Sequence, residues 1–174
     1  ILCGETLIGD QPFAVLLADD LCDAPTKGVL AQMVDLYKKY GCSIVAIEEI
    51  PKEDTNKYGV IAGNEIEPGI FMVKDMVEKP EPEVAPSNLA IIGRYILTPD
   101  IFDIIRETKP GKGGEIQITD ALLTQAKKGM VLGFKFDGQR FDCGSIDGFV
   151  KATNYFYTKS IDKEKKEKKE AGAK

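Results

Sequence analysis

The sequence contains no histidine. That absence removes a serine–histidine–aspartate triad, a histidine general base and the imidazole ligands of common zinc sites from this chain. Cysteine is sparse: Cys3, Cys22, Cys42 and Cys143 stand singly, with no C-x-x-C pair. Isolated thiols without histidine are a poor zinc site, and reduced cysteines in a cytoplasmic protein are expected. No apolar run nears the roughly 20 residues that span a bilayer, so no membrane segment is expected. No basic stretch followed by an apolar core opens the chain, so no signal peptide is expected in these residues. G-x-G-x-x-G is lacking, which argues against a nicotinamide-dependent dehydrogenase. G-x-x-x-x-G-K-[ST] is lacking too, and the glycine-rich Pro110-Gly111-Lys112-Gly113-Gly114 follows no strand, so a phosphate-binding P-loop is not expected there. Any chemistry must come from carboxylates, lysines, backbone amides or a metal ion.

What is present is ordinary for a globular protein. The chain of 174 residues is long enough for one domain with a proper core, at 43% apolar and 29% charged residues. The net charge of −5 is unevenly placed. Lys159 to Lys174 hold seven lysines against four acids, a net of +3, so the remainder carries about −8. An acidic body argues against a nucleic-acid surface, and interleaved Lys and Glu read as a solvated helix end or frayed terminus.

The pattern of apolar residues places the elements. Phe13-Ala14-Val15-Leu16-Leu17-Ala18 reads as a buried strand, closed by Asp19 and Asp20. Val29, Leu30, Met33, Leu36 and Tyr37 follow the helical period from Gly28 to Tyr40, and Gly41 supplies the stop. Ser43 to Ile47 is a second buried strand, which makes a βαβ unit and implies parallel strands under helices. Tyr58–Ala62 and Ile70–Val73 look like antiparallel or edge pieces, followed by a proline-rich loop from Pro80 to Pro86. Leu89–Leu97 is a further strand, and a helix follows Pro99 over Asp100–Thr108. Thr119 is expected to cap a helix over Asp120–Lys128. Strands over Met130–Phe136 and Gln139–Asp142 and a closing helix over Ile146–Tyr157 complete the reading.

Ligands of open α/β sheets bind beyond the carboxyl ends of the strands, where Asp19 and Asp142 fall. Two carboxylates at one sheet edge suit Mg²⁺, although an aspartate after a strand also serves as a cap or turn former. In Glu78-Lys79-Pro80 the proline favours an extended residue before it, so the two charges point apart. The carboxylate can accept from sugar hydroxyls and the ammonium can meet a phosphate, or the two can form a solvated surface pair. Gly59, read as lying within a strand, marks a close backbone approach. Asn88 can read a hydroxyl or satisfy the Pro86-Ser87 turn.

In order, Ala14–Asp20, Tyr58-Gly59-Val60, Val77-Glu78-Lys79-Pro80, Ala85–Ala90, Gly93-Arg94-Tyr95, Gly114–Asp120 and Phe141-Asp142-Cys143-Gly144 resemble the bacterial UTP–glucose-1-phosphate uridylyltransferases, from residue 1 to about Tyr157. The resemblance implies a Rossmann-like sugar-nucleotidyltransferase α/β fold, with a mixed, mainly parallel sheet and a small antiparallel sugar-side region. It implies one such domain over 1–158, with 159–174 as a charged helix end or tail. By the same resemblance Asp19 and Asp142 hold Mg²⁺ and, with Lys79, form the catalytic set. Gly59, Glu78, Lys79 and Asn88 contact substrate, with Lys79 on the sugar phosphate. The partners implied are UTP, glucose-1-phosphate and UDP-glucose in a homo-oligomer; a non-catalytic sugar-nucleotide-binding paralogue is the alternative. Relatives open with a strand and a G-x-G-T-R loop that cradles the triphosphate. This chain, starting at Ile1 without an initiator methionine, is expected to be a fragment lacking them and inactive alone.

Overall fold

The structure, a computed structural model, describes residues 1–111 and 114–171. A 3₁₀ turn (Leu2–Gly4) and the short helix α1 (Glu5–Ile8) precede the strands β1 (Phe13–Leu16) and β2 (Asp20–Asp23). Helix α2 (Val29–Tyr40) leads to β3 (Ser43–Glu49), and a 3₁₀ turn (Lys52–Lys57) leads to the hairpin of β4 (Gly59–Glu67) and β5 (Ile70–Glu78). Then come β6 (Leu89–Leu97), α3 (Ile101–Glu107), α4 (Ile118–Ala126), β7 (Val131–Lys135), β8 (Gln139–Asp142) and α5 (Ile146–Ala171).

Strands β3 and β6 are apolar on both faces because both faces are covered. In β3, Val45 and Ile47 pack with Phe102, Ile105 and Leu122 of α3 and α4, while Ile44 and Ala46 pack with Met33 and Leu36 of α2. The same alternation splits β6 into Ile91, Tyr95 and Leu97 on the first side and Ile92 and Ile96 on the second. Gly41 closes α2 in the left-handed conformation, its N–H bonded to Tyr37 O at 2.7 Å.

The sheet runs β1-β6-β3-β7-β5-β4, and β4 also pairs with β6, through Val60 with Ala90 and Ile61 with Leu89. Five strands therefore close on themselves. One edge of β6 is held along its length by β3. The other edge is divided, β4 taking its start and β1 its end.

The α/β class and mixed sheet agree with the sequence, but mainly parallel pairing does not. Among the described residues only β3 with β7 runs parallel; every other pair is antiparallel. β1 and β3 are the strands of the expected βαβ unit, yet β6 inserts between them as an antiparallel neighbour. Double-sided burial gives any strand an unbroken apolar run, so that run says nothing about strand direction. Two further expectations change. Thr119 lies inside α4, with Gln117 at the N-cap and no side-chain cap bond, because the threonine hydroxyl takes a carboxylate instead. The closing helix continues past Tyr157 to Ala171. Lys112 and Gly113 of the glycine-rich loop lie outside the described residues.

Asp20, only 6% exposed, starts a strand that the sequence did not announce. Its Oδ2 accepts the Gly93 N–H at 2.7 Å and its Oδ1 accepts from Arg140 Nε. A side-chain carboxylate thus occupies part of the β6 edge between its two partner strands. Arg94 secures the same corner by donating to the carbonyls of Leu17, Gly93 and Asp20. At the far end of the two-stranded β2–β8 ribbon, Asp23 accepts from Tyr155 Oη at 2.7 Å and from Lys159 Nζ, which ties down α5.

Two measurements test these ties. A Cβ on Gly93 would lie 2.6 Å from both Asp20 Oδ2 and Leu17 Cβ. Gly93→Ala is therefore expected to cost about 1–3 kcal/mol in urea denaturation, against almost nothing for Gly28→Ala, where no atom comes within 4 Å. Lys159 and then Tyr155 hold the Asp23 carboxyl below its ordinary value. That contribution is complete above the unfolded aspartate pKa of about 4 and is lost as pH falls through the lower folded value. The stability difference between the wild type and Asp23→Asn should accordingly shrink on acidification.

Candidate active site

The divided edge of β6 opens into a cleft of about 560 Å³. Its floor is Ile91, Gly93 and Tyr95; Tyr95 still pairs with Val15 of β1, while Ile91 and Gly93 lie between the β1 and β4 ladders. The walls come from the ends of other elements: Leu17 and Asp19 after β1, Tyr58 and Gly59 at β4, Glu78 and Lys79 closing β5, Thr119 in α4, and Arg140 and Asp142 of β8. Five of the six residues singled out from sequence line this one space. The sixth, Asn88, is absent from its lining; its side-chain amide donates to Ile50 O at 3.2 Å and its backbone carbonyl accepts the Ile50 N–H.

Asp19 is exposed at the rim, and its carbonyl accepts the Cys143 N–H at 2.7 Å, which brings the turn after β8 against the end of β1. A Cβ on Gly144 would stand 3.1 Å from Asp142 Oδ1 and 3.4 Å from Asp19 Oδ2. Both carboxylates thus face one small space that the missing side chain leaves open. Burial pushes the Asp142 carboxyl up, but the Tyr58 hydroxyl at 2.7 Å, the Arg140 charge and the Gly144 N–H more than offset it, leaving it below the usual value. The site therefore keeps Asp142 ionised at neutral pH.

On the opposite wall Thr119 Oγ1 donates to Glu78 Oε2 at 2.6 Å. Gly59 is the first residue of β4, not an interior one, and the groups approaching its backbone are the protein's own. A Cβ there would lie 3.0 Å from Thr119 Oγ1 and 3.1 Å from Glu78 Oε2. Lys79 departs from the extended backbone expected before proline. At φ +47° it is the one non-glycine in the left-handed region among the described residues. Its N–H is still bonded to Tyr58 O at 3.0 Å, so the β4–β5 ladder runs to its limit before the chain swings away at Pro80. Backbone strain held in place by a ladder is a mark of functional sites.

Sequence reasoning missed Asp20, Tyr58, Thr119 and Arg140. Arg140, with its side chain 7% exposed, contacts Asp20, Asp142 (3.2 Å) and Glu48 (3.7 Å), and its guanidinium lies 5.0 Å from the Tyr58 ring centre. A charged residue in a four-residue strand was the one available signal, and nothing local names its partners.

Carboxylates converging at strand ends, a strained lysine beside them and hydrogen-bonding groups opposite form an arrangement whose chemistry suits a phosphorylated ligand. The chain belongs to the nucleotidyl transferase family, whose model matches residues 1–159. It is 67% identical over 158 residues to a UTP–glucose-1-phosphate uridylyltransferase of Pseudomonas aeruginosa, covering 90% of this chain and 57% of that protein. A relative of the same name from Bacillus subtilis (strain 168) is 44% identical over 156 residues, covering 90% and 53% respectively. Among solved structures, a UDP-glucose pyrophosphorylase complexed with UDP-glucose aligns with a TM-score of 0.88 and 61% identity, over 91% of this chain and 60% of that one. The chain thus spans a little over half the length of the curated relatives it matches.

The strain at Lys79 can be measured. Glycine carries no penalty at this φ, so Lys79→Gly is expected to be more stable than Lys79→Ala by about 1 kcal/mol in urea midpoint analysis.

Proposed function

We propose that the intact protein carrying this chain transfers a uridylyl group from UTP to glucose-1-phosphate, giving UDP-glucose and pyrophosphate. The observation that carries this reading is the single cleft in which Asp19 and Asp142 face Gly59, Glu78 and Lys79, in a chain closely similar to proteins of that name. Asn88, engaged with Ile50, is left out of the working set.

Asp19 and Asp142 are the residues that would hold Mg²⁺. Among the described residues no group of three or more His, Cys, Asp or Glu is placed to hold an ion unaided. Two carboxylates completed by substrate phosphates and water suit Mg²⁺, which keeps part of its hydration and is rarely caged by protein alone. When bound, the ion supplies charge neutralisation across phosphate oxygens as pyrophosphate leaves. The chain's own residues do the positioning. Lys79 places an ammonium against the sugar phosphate, and the Gly59 backbone and Glu78 hold ring hydroxyls. Thr119 fixes the Glu78 carboxylate in one orientation. Attack by a glucose-1-phosphate oxygen on the α-phosphorus of UTP needs no enzyme nucleophile, which accords with a chain without histidine. A single domain over 1–158, with the charged residues from 159 as the end of its last helix, belongs to the same reading. So does a cytoplasmic location; no described helix is long and apolar enough to cross a membrane. Self-association is supported by Ile146, Phe149, Val150 and Tyr157, exposed along one face of α5.

The test is pyrophosphate release by the intact protein with UTP and a panel of sugar-1-phosphates. Glucose-1-phosphate with Mg²⁺ is expected to be preferred, and Asp19→Asn to lower turnover by about a hundredfold or more. No UDP-glucose from the wild type would sink the reading; undiminished turnover in the variant would remove the metal role of Asp19.

A further inference from the structure

We propose that Arg140 is a positioning residue that, with Tyr58, fixes Asp142 in the one orientation able to bind a divalent cation and couples that carboxylate to the sugar side of the cleft. The inference rests on the reading of Asp142 as a metal carboxylate, and goes beyond it by assigning a role to two residues that touch neither metal nor phosphate in that reading.

Asp142 needs holding if it is to keep one orientation, since its side chain is 39% exposed at the end of a four-residue strand. Three donors hold it. Its Oδ2 accepts from Tyr58 Oη at 2.7 Å and faces Arg140 Nη2 at 3.2 Å, while Oδ1 accepts the Gly144 N–H at 3.1 Å. With Oδ2 occupied twice, Oδ1 is the oxygen left beside the space shared with Asp19. A carboxylate fixed in this way loses no rotamer freedom when a cation arrives.

Arg140 can do this because it is itself immobile. Its Nε is bonded to the buried Asp20, and the Tyr58 ring lies under its guanidinium. A planar fork serves two carboxylates at once, where an ammonium on a flexible stem serves one. Tyr58 extends the unit across the cleft: its carbonyl accepts the Lys79 N–H and the next residue is Gly59. The backbone that places Lys79 and Gly59 is therefore fastened, through one phenol and one guanidinium, to the carboxylate opposite.

The experiment uses the intact protein with Mn²⁺ as the probe, following free Mn²⁺ by electron paramagnetic resonance in the wild type, Arg140→Lys, Tyr58→Phe and the double variant. Arg140→Lys keeps a cation for Asp20, and Tyr58→Phe keeps the ring and removes one hydroxyl. Each is expected to weaken Mn²⁺ binding about tenfold or more, the range for partners that orient a metal ligand. The double variant is expected to lose less than the product of the two, because both donors act on one oxygen. A purely structural role would lower the denaturation midpoint and leave the Mn²⁺ affinity of folded protein unchanged, and that result overturns the proposal. If Arg140→Lys fails to fold, Tyr58→Phe decides it alone. A wild type that binds no Mn²⁺ refutes this inference together with the metal role. Intact Mn²⁺ binding, weakened in both variants, without uridylyl transfer would leave this inference standing and dismiss only the proposed reaction.

Discussion

The arrangement turns on one buried carboxylate. Asp20 accepts the Gly93 N–H with one oxygen and the Arg140 guanidinium with the other, while its carbonyl accepts from Arg94. It thereby joins the middle of β6 to β8 and sets the corner from which Asp19 projects. A buried ion pair adds little net stability over an apolar substitute, because desolvation consumes most of its Coulombic gain. Its contribution here is geometric. The edge donor of Gly93 is satisfied without a neighbouring strand, so the sheet can leave a gap there without an unpaired amide. The cleft exists because a side chain does the work of a strand for one residue.

Around that point the two halves of the site are built differently. The wall that carries Glu78 and Lys79 is a ladder end, where the β4–β5 pairing finishes at Gly59 with Glu78 and Lys79 takes a strained turn. The carboxylate wall is a short ribbon, β2 with β8, which makes few backbone bonds and depends on Arg140 and on the Asp23 tie to α5. The adjacent aspartates divide the labour. Asp20, fully engaged, is an anchor; Asp19, exposed at the rim, is the one proposed as a metal ligand.

Much of this was legible in the chain. Gly41 ended α2 where expected, Leu89–Leu97 emerged with the bounds its apolar run suggested, and Asp19, Gly59, Glu78, Lys79 and Asp142 gather in one cleft. Strand direction was not legible, since burial on both faces writes the same pattern for parallel and antiparallel neighbours. β2 was missed because Asp20-Leu21-Cys22-Asp23 has no strand-like composition. It is a strand by virtue of its pairing with Gln139–Asp142, remote in the chain. Thr119 looked like a cap because threonine before a helical run usually is one, yet Glu78, 41 residues distant, offers its hydroxyl a charged acceptor. Local rules fail where a remote partner outbids the near one.

The divided edge of β6 has a consequence for how such a protein can diversify. The floor of the cleft is a stretch of backbone, whereas its walls are the loose ends of elements whose middles lie in the core. A change at the start of β4, the end of β5 or the first turn of α4 can redraw the outline presented to a ligand. Changes at the side chains that line the cleft there leave the β3–β6 pairing itself in place. Ligand preference and foldability are therefore encoded by largely separate residues, and selection can act on one while the other is conserved.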